Sequence, residues 1–494
     1  MKRNKETKLN IIFSLLLRFV SAIVGLVLPR MILVHYGSEV NGMMQAISQI
    51  LSYAVLFEFG IGGVILAAFY KPLADDDNEA ISDIFNYTKR YFDKISILFL
   101  GLVIIFALTA KFIISTGFDY IYVVSMVLIL ALTTYFSYYF GLPHQLLMKA
   151  DQKIRIVNSI QIITTIVNFF ACVILIKTGC NIHTVKLVSA FVFLLNPVVY
   201  RIYVKKHFEI RKNVYDSERK YPRKRDGVIH HLSYFIHENT DIVLLSVVCG
   251  AATVSVYSVY NSVMVMATGI LTAVSSGISG AFGNMIALQE NEKLKEQFDK
   301  YECANTAVAF GFFTTIMLLI VPFVKIYTEG VKDIEYIRPL FALLIGLGSL
   351  MYCIRIPYAI VVGAAGHYNE TKSGALIETI INLVVSLSLI KPLGLVGVAV
   401  GTFLAMTYRT FYVVWYLSKN ILKRSAKVFY ISLFVNIILS VAVIFVLRSY
   451  LLWMPKSLLV FINEAIKISL GVFVVFIVVD GLILTVRKSL RKER

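Results

Sequence analysis

Apolar residues run through this chain in continuous stretches of about 20, punctuated by polar clusters, rather than alternating every second position. A helix rises 1.5 Å per residue, so such a stretch crosses a ~30 Å hydrocarbon core. The pattern predicts fourteen helical spans, at 10–34, 43–69, 95–115, 120–147, 156–176, 184–204, 229–249, 253–285, 303–326, 339–364, 373–391, 396–418, 428–448 and 457–486. Strands of a membrane barrel alternate lipid-facing and lumen-facing residues, and nothing here alternates in that way. The expected fold class is an all-α polytopic membrane protein with fourteen transmembrane helices.

Composition agrees. Of 494 residues 58% are hydrophobic and 16% charged, whereas a soluble domain is nearer half apolar and a quarter charged. A soluble enzyme, a disordered chain and a collagen-like fibre are all set aside. The net charge of +18 would suit a nucleic-acid binder, but the charges are distributed otherwise. With both termini cytoplasmic, the tails and inner loops hold 33 lysines and arginines and the outer loops 4. Counting Lys111, Lys325, Lys391 and Arg448, near outer ends of spans, as outer leaves 33 against 8. That asymmetry is the positive-inside rule. It fixes an orientation in the membrane and removes the need for a nucleic-acid partner.

Cys172, Cys180, Cys249, Cys303 and Cys353 lie in or beside apolar spans without C-x-x-C spacing, as small core residues do. The N-terminal run resembles a signal peptide but is too long, carries Arg18 and lacks a small-x-small cleavage site, so it reads as a retained first span.

An internal repeat organises the spans. Pro143–Ala150 through Asn168 to Lys177 aligns without a gap on Pro357–Ala364 through Asn382 to Lys391, at a constant offset of 214 with 10 identities in 35 positions. The same offset pairs Ser48 with Ser262 and Gly63 with Gly277, and Tyr200-Arg201 recurs as Tyr408-Arg409 at an offset of 208. Each unit then holds six spans, an even number, so both face the same way, and a substrate path is expected between them. The reading is a six-helix lobe over 1–204, a basic cytoplasmic linker over 205–228, a second six-helix lobe over 229–425, and two extra helices with a basic tail over 426–494.

Ionisable residues inside spans are expensive, at least ~2.5–3.5 kcal/mol at mid-membrane, and mark cavities or pairs. In span 1, Ser14, Arg18, Ser21, Gly25 and Pro29 form one small or polar stripe, with Arg18 about 12 Å past the start of the span. Arg18 is expected to line a cavity; Arg30, near the outer end, serves equally as an interface anchor. In span 7, His230, Ser233, His237 and Asp241 share a face, with Glu238 adjacent to His237. They suit a substrate or proton site, or an internal ion pair that fixes packing. In span 11, Glu378, Asn382 and Ser386 stand four apart, at the repeat counterparts of Thr164, Asn168 and Cys172. Glu58 precedes Gly60-Ile-Gly62-Gly63, Arg355 lies two residues before Pro357, where a backbone break is expected, and His144 follows Pro143. Substrate contact is expected of Arg18, Arg30, His144, His237 and Arg355, and ion coupling or pairing of Glu58, Glu238, Asp241 and Glu378.

Signatures of catalysis are missing: there is no G-x-x-x-x-G-K-[ST], no H-E-x-x-H and no G-x-G-x-x-G opening a helix after a strand. Asp75-Asp76-Asp77 reads as a solvated acidic loop rather than a metal site. No enzyme activity, cofactor or metal is expected, and energy must come from an ion gradient, the substrate's gradient or the membrane potential.

His35-Tyr-Gly-Ser-Glu-Val-Asn-Gly42 leading into Gln45, Glu58-Phe-Gly-Ile-Gly-Gly63, Asn239-Thr-Asp-Ile-Val-Leu-Leu245, Val256-Tyr-Ser-Val-Tyr260 and Gly394-Leu-Val-Gly-Val-Ala-Val-Gly401 resemble bacterial polysaccharide flippases. These belong to the polysaccharide-transport branch of the multidrug/oligosaccharidyl-lipid/polysaccharide exporter superfamily. The resemblance covers most of the chain and weakens after about 425. It implies a flippase in the bacterial cytoplasmic membrane that moves undecaprenyl-pyrophosphate-linked oligosaccharide outward by alternating access, for capsule or O-antigen export. The implied partners are that lipid-linked substrate, membrane lipids, and a polysaccharide polymerase and glycosyltransferases. Fourteen spans also match lipid II flippases, whose last two helices help form a lipid-tail groove. Drug exporters of the superfamily often place a carboxylate in helix 1, where this chain has arginine. A cation-coupled multidrug exporter and a membrane-embedded glycan polymerase stand as the alternatives.

Overall fold

The computed structural model describes residues 2–53, 61–211, 239–451 and 458–492, and secondary structure among them is helical. Twelve helices among the described residues are long and apolar enough to cross a membrane, and Ile61–Ala74 and Asn239–Val248 are shorter apolar helices. The expected second and seventh spans account for the difference.

Helix α1 (Lys2–Ser52) joins the first span to the start of the second through a bend at Gly37, whose φ of 87° is a conformation that a side chain would strain. The second span continues as α2 (Ile61–Ala74). Then come α3 (Asn78–Ile113), α4 (Tyr120–Phe136), a π-helical turn over Ser137–Gly141, α5 (Leu142–Ala150), α6 (Ile154–Lys177) and α7 (Ile182–His207). The acidic run before α3 acts as a cap: Asp77 accepts from the backbone N–H of Glu79 at 3.1 Å and of Ala80 at 3.0 Å. Of the seventh span, α8 (Asn239–Val248) is described. It is followed by α9 (Ala251–Ala287), α10 (Asn291–Tyr327), α11 (Pro339–Ala364), α12 (Tyr368–Leu393), α13 (Leu395–Asn420), α14 (Lys427–Leu451) and α15 (Leu458–Lys492).

The chain forms two compact units, residues 1–228 with 249–255, and 229–248 with 256–494. In the first, α1 lies along α6, where Asn158 donates to Ser14 at 2.8 Å and the Arg155 N–H to Asn10 at 2.8 Å. Such amide and hydroxyl bonds join helices where apolar burial alone gives no preference over lipid. The segment 249–255 is tied in by Asn41, which donates to Ser255 at 2.7 Å, and by the Ala251 N–H, which donates to the Ser115 carbonyl at 3.0 Å.

In the second unit α11 continues through Pro357 without the break expected there. Proline cannot donate to the carbonyl four residues back, that of Cys353. Asn305 on α10 donates to that carbonyl at 2.9 Å instead, so the backbone acceptor stays satisfied and the helix stays whole. The connection from α13 to α14 is held by Arg424, which donates to Asp299 and, at 2.8 Å, to Glu302; Tyr358 also donates to Glu302. Burial by itself would lower the pKa of Arg424, but Glu302, Tyr358 and Asp299 outweigh that and hold it above its ordinary value.

Candidate functional site

Three helices of the second unit each bring one charged side chain to a common point. Arg355 comes from the middle of α11, Glu378 from α12 and Arg409 from α13. Arg355 is 7% exposed and Glu378 9%. Arg355 Nη1 donates to Glu378 Oε1 at 2.8 Å, and Arg409 Nε lies 3.5 Å from Oε2. Arg355 also stands over the Tyr352 ring, 5.2 Å from its centroid, and Arg409 over that of Tyr412, at 5.5 Å. Arg409 Nη1 donates to the Thr371 carbonyl at 3.1 Å.

The three line a cavity of about 700 Å³ bounded by α9, α11, α12 and α13, together with hydroxyl-bearing Thr272, Ser275, Ser279 and Tyr368. Arg355 lies nine residues before the end of α11, about 13 Å from the turn into α12. Among the described residues, two guanidinium groups face one carboxylate, a local balance of one positive charge. Inside a membrane a balanced ion pair fixes packing, whereas surplus positive charge favours an incoming anion. Planar guanidinium forks match phosphate oxygens, and hydroxyl groups match sugar hydroxyls.

One turn further along α12, Asn382 donates to Thr402 at 3.1 Å, and Thr402 donates to Asp241 at 2.7 Å. The Tyr257 hydroxyl donates to the same carboxylate oxygen at 3.3 Å. Asp241 is 3% exposed. Hydroxyl oxygens from α9 and α13 thus meet at the buried carboxylate of α8, a chemistry suited to a proton or a hard monovalent cation.

The other residues singled out in the sequence are dispersed. Arg18 is exposed on α1. Its stripe partners Ser21, Gly25 and Pro29 line a second cavity, of about 470 Å³, within the first unit. Arg30 is half-buried, and His144 packs edge-on against Phe85 with 5.1 Å between ring centroids. Glu58, His237 and Glu238 lie outside the described residues. Arg409 and Thr402 were missed as site residues. Arg409 carried a signal nonetheless: it is an arginine within a span, beside Tyr408 in the dipeptide that closes the repeat. The first unit carries no copy of the charged trio, for the 214-residue offset puts Gly141 and Thr164 in place of Arg355 and Glu378.

No family model and no curated protein matches the sequence. Solved structures do match the fold. A structure described as the lipid II flippase MurJ in an inward closed conformation superposes with a TM-score of 0.70 at 16% identity, covering 94% of this chain and 98% of the other. An inward-facing multidrug resistance MATE family transporter of the MOP superfamily gives a TM-score of 0.61 at 10% identity over 81% of this chain and 95% of that one. The MATE multidrug transporter DinF-BH gives 0.57 at 15% identity over 84% and 95%. The chain has the fold shared by these flippase and exporter structures.

Proposed function

We propose that this protein is a flippase that carries pyrophosphate-linked oligosaccharide lipids, of the undecaprenyl type, across the bacterial cytoplasmic membrane for capsule- or O-antigen-type export. The observation that supports the reading is a hydroxyl-lined cavity into which, among the described residues, Arg355 and Arg409 bring two guanidinium groups beside the one carboxylate of Glu378. The guanidinium groups contact the anionic head group and the hydroxyls contact sugars. In the orientation read from the basic loops, the cavity lies in the cytoplasmic half of α11–α13, the side on which the substrate is made. Arg18, Arg30, His144 and His237 are proposed as further contacts along its path, and the polymerase and glycosyltransferases as partners before and after transport.

With the cell interior negative, outward movement of about two negative charges is favoured by roughly 4–5 kcal/mol per 100 mV if they move uncompensated. Asp241, which accepts from the Thr402 and Tyr257 hydroxyls, is proposed to couple a proton or a monovalent cation to the cycle. The MATE fold matches and this same carboxylate favour a second reading, a cation-coupled drug exporter, but surplus positive charge in the larger cavity disfavours cationic drugs.

The deciding experiment reconstitutes the protein in liposomes with a fluorescent polyprenyl-pyrophosphate oligosaccharide and follows its exposure on the far leaflet. The wild type should exceed empty vesicles, and Arg409→Gln should slow it at least tenfold. Movement of a cationic dye with no movement of the lipid-linked sugar would replace the flippase by the exporter.

A further inference from the structure

The second cavity, of about 470 Å³, lies wholly within the first unit and takes its walls from α1, α6 and α7. Lys186 of α7 lines it, half-buried, with the hydroxyl or amide groups of Ser21, Gln45, Ser48, Thr165 and Ser189 around the same space. Among the described residues no Asp or Glu lines this cavity, and Lys186 enters no ion pair. Among the described residues, the elements packed on α7 offer no carboxylate to it. Helices α4, α5 and α6 contain none, and Glu39 of α1 is taken by Thr116 and the Gly117 N–H. Glu6, the other acid of α1, stands at the start of that helix, about 22 Å along it from Ser21. Arg18 of α1 is exposed, His144 of α5 packs on Phe85, and Cys172 of α6 is a buried thiol.

An ammonium group within membrane-spanning helices needs a counter-charge or must give up its proton. The groups around Lys186 are hydroxyls and amides, each able to turn a hydrogen toward a negative ion. We propose that this cavity binds a small inorganic monovalent anion, chloride in the cell, with Lys186 supplying the charge and the surrounding hydroxyls replacing its water shell. The site is separate from the Arg355–Glu378–Arg409 cavity and does not depend on what the protein transports.

The test uses the full chain purified in detergent and follows its thermal unfolding midpoint while chloride or bromide replaces gluconate at constant ionic strength. The wild type and Lys186→Arg should show a saturable rise in the midpoint. Lys186→Met should lose that rise, and Ser189→Ala or Thr165→Val should raise the half-saturating concentration severalfold. An unchanged response in Lys186→Met would overturn the site. So would a Glu58→Gln variant that loses stability as Lys186→Met does and recovers it in the double variant, because the lysine would then be half of an internal pair. If Lys186→Met does not fold, unchanged half-saturation in both hydroxyl variants overturns the proposal.

Discussion

Arg355 Nη1 lies 2.8 Å from Glu378 Oε1, an ion pair between α11 and α12 with both side chains almost wholly buried. Removing either partner leaves the other's charge largely buried at the cavity wall, with Arg409 still beside Glu378. Glu378→Gln leaves two guanidinium groups facing each other and should cost about 3–5 kcal/mol, the usual penalty for breaking a buried pair. Arg355→Met combined with Glu378→Gln should cost less than the sum of the two single changes, because the pair is removed whole. Thermal unfolding of the four proteins in one detergent measures that coupling, and strict additivity would mean that the pair contributes nothing to stability.

Arg409 stands further from Glu378, at 3.5 Å, with one further bond, to the Thr371 carbonyl. Its removal should therefore cost little stability, about 1–2 kcal/mol, while taking away the charge surplus that makes the cavity attractive to an anion. Arg409→Gln is expected to express and fold yet to lose most flipping. Arg409→Lys should recover part of it, since a point charge replaces the fork. Protein yield and vesicle transport, measured side by side, check both.

The helical membrane fold was legible in the sequence because apolar run length is fixed by bilayer thickness, a constraint that acts locally. The pairing of Glu378 was half legible. Its place on one face with Asn382 and Ser386 follows from spacing, but its partners come from α11 and α13, and no sequence period reports which helices adjoin. The expected break at Pro357 failed for the same reason, since the amide that satisfies the freed carbonyl belongs to Asn305, 48 residues away from Cys353. Within the stripe of span 1, spacing found Ser21, Gly25 and Pro29 on one cavity, while Arg18 on the same stripe is exposed. Lys186 escaped notice because a lysine so close to the start of a span reads as an interface anchor.

Asp241 accepts from Thr402 at 2.7 Å and from Tyr257 at 3.3 Å. Asp241→Asn keeps the shape and removes the charge. If the carboxylate couples a monovalent cation, sodium should raise the unfolding midpoint of the wild type and leave that of Asp241→Asn unmoved. Thr402→Val, which removes one oxygen, should shift half-saturation severalfold. If lowering the pH protects the wild type and sodium has no effect, the coupled ion is a proton.

Arg424 gathers Asp299, Glu302 and Tyr358 at the connection between α13 and α14, with the Phe298 ring 4.8 Å beneath its guanidinium. Arg424→Ala takes the shared cation away from two carboxylates that are 8% and 3% exposed, and should cost about 3–5 kcal/mol. Arg424→Lys should recover less than half, because one ammonium cannot span both acids. Limited proteolysis should find the 421–426 connection cut faster in both variants, and an unchanged rate would show that the connection is held by other contacts.

The spacing of α12 and α13, which carry Glu378 and Arg409, rests on glycine. A Cβ at Gly397 would collide with the Leu389 carbonyl, and one at Gly401 with Ser386 Oγ. The obstacle at Gly397 is backbone, which cannot turn aside as a side chain can, so the two helices must separate to admit even a methyl group. Gly397→Ala should cost about 1–3 kcal/mol or more through overpacking and should weaken transport by moving Arg409 away from Glu378. Gly269 on α9 offers the control, since nothing among the described residues lies within 4 Å of a Cβ built there. Gly269→Ala should be neutral or should gain up to about 1 kcal/mol from helix propensity. Unfolding midpoints of the two alanine variants separate close approach from any general need for glycine in these helices, and equal effects would refute the close-packing account.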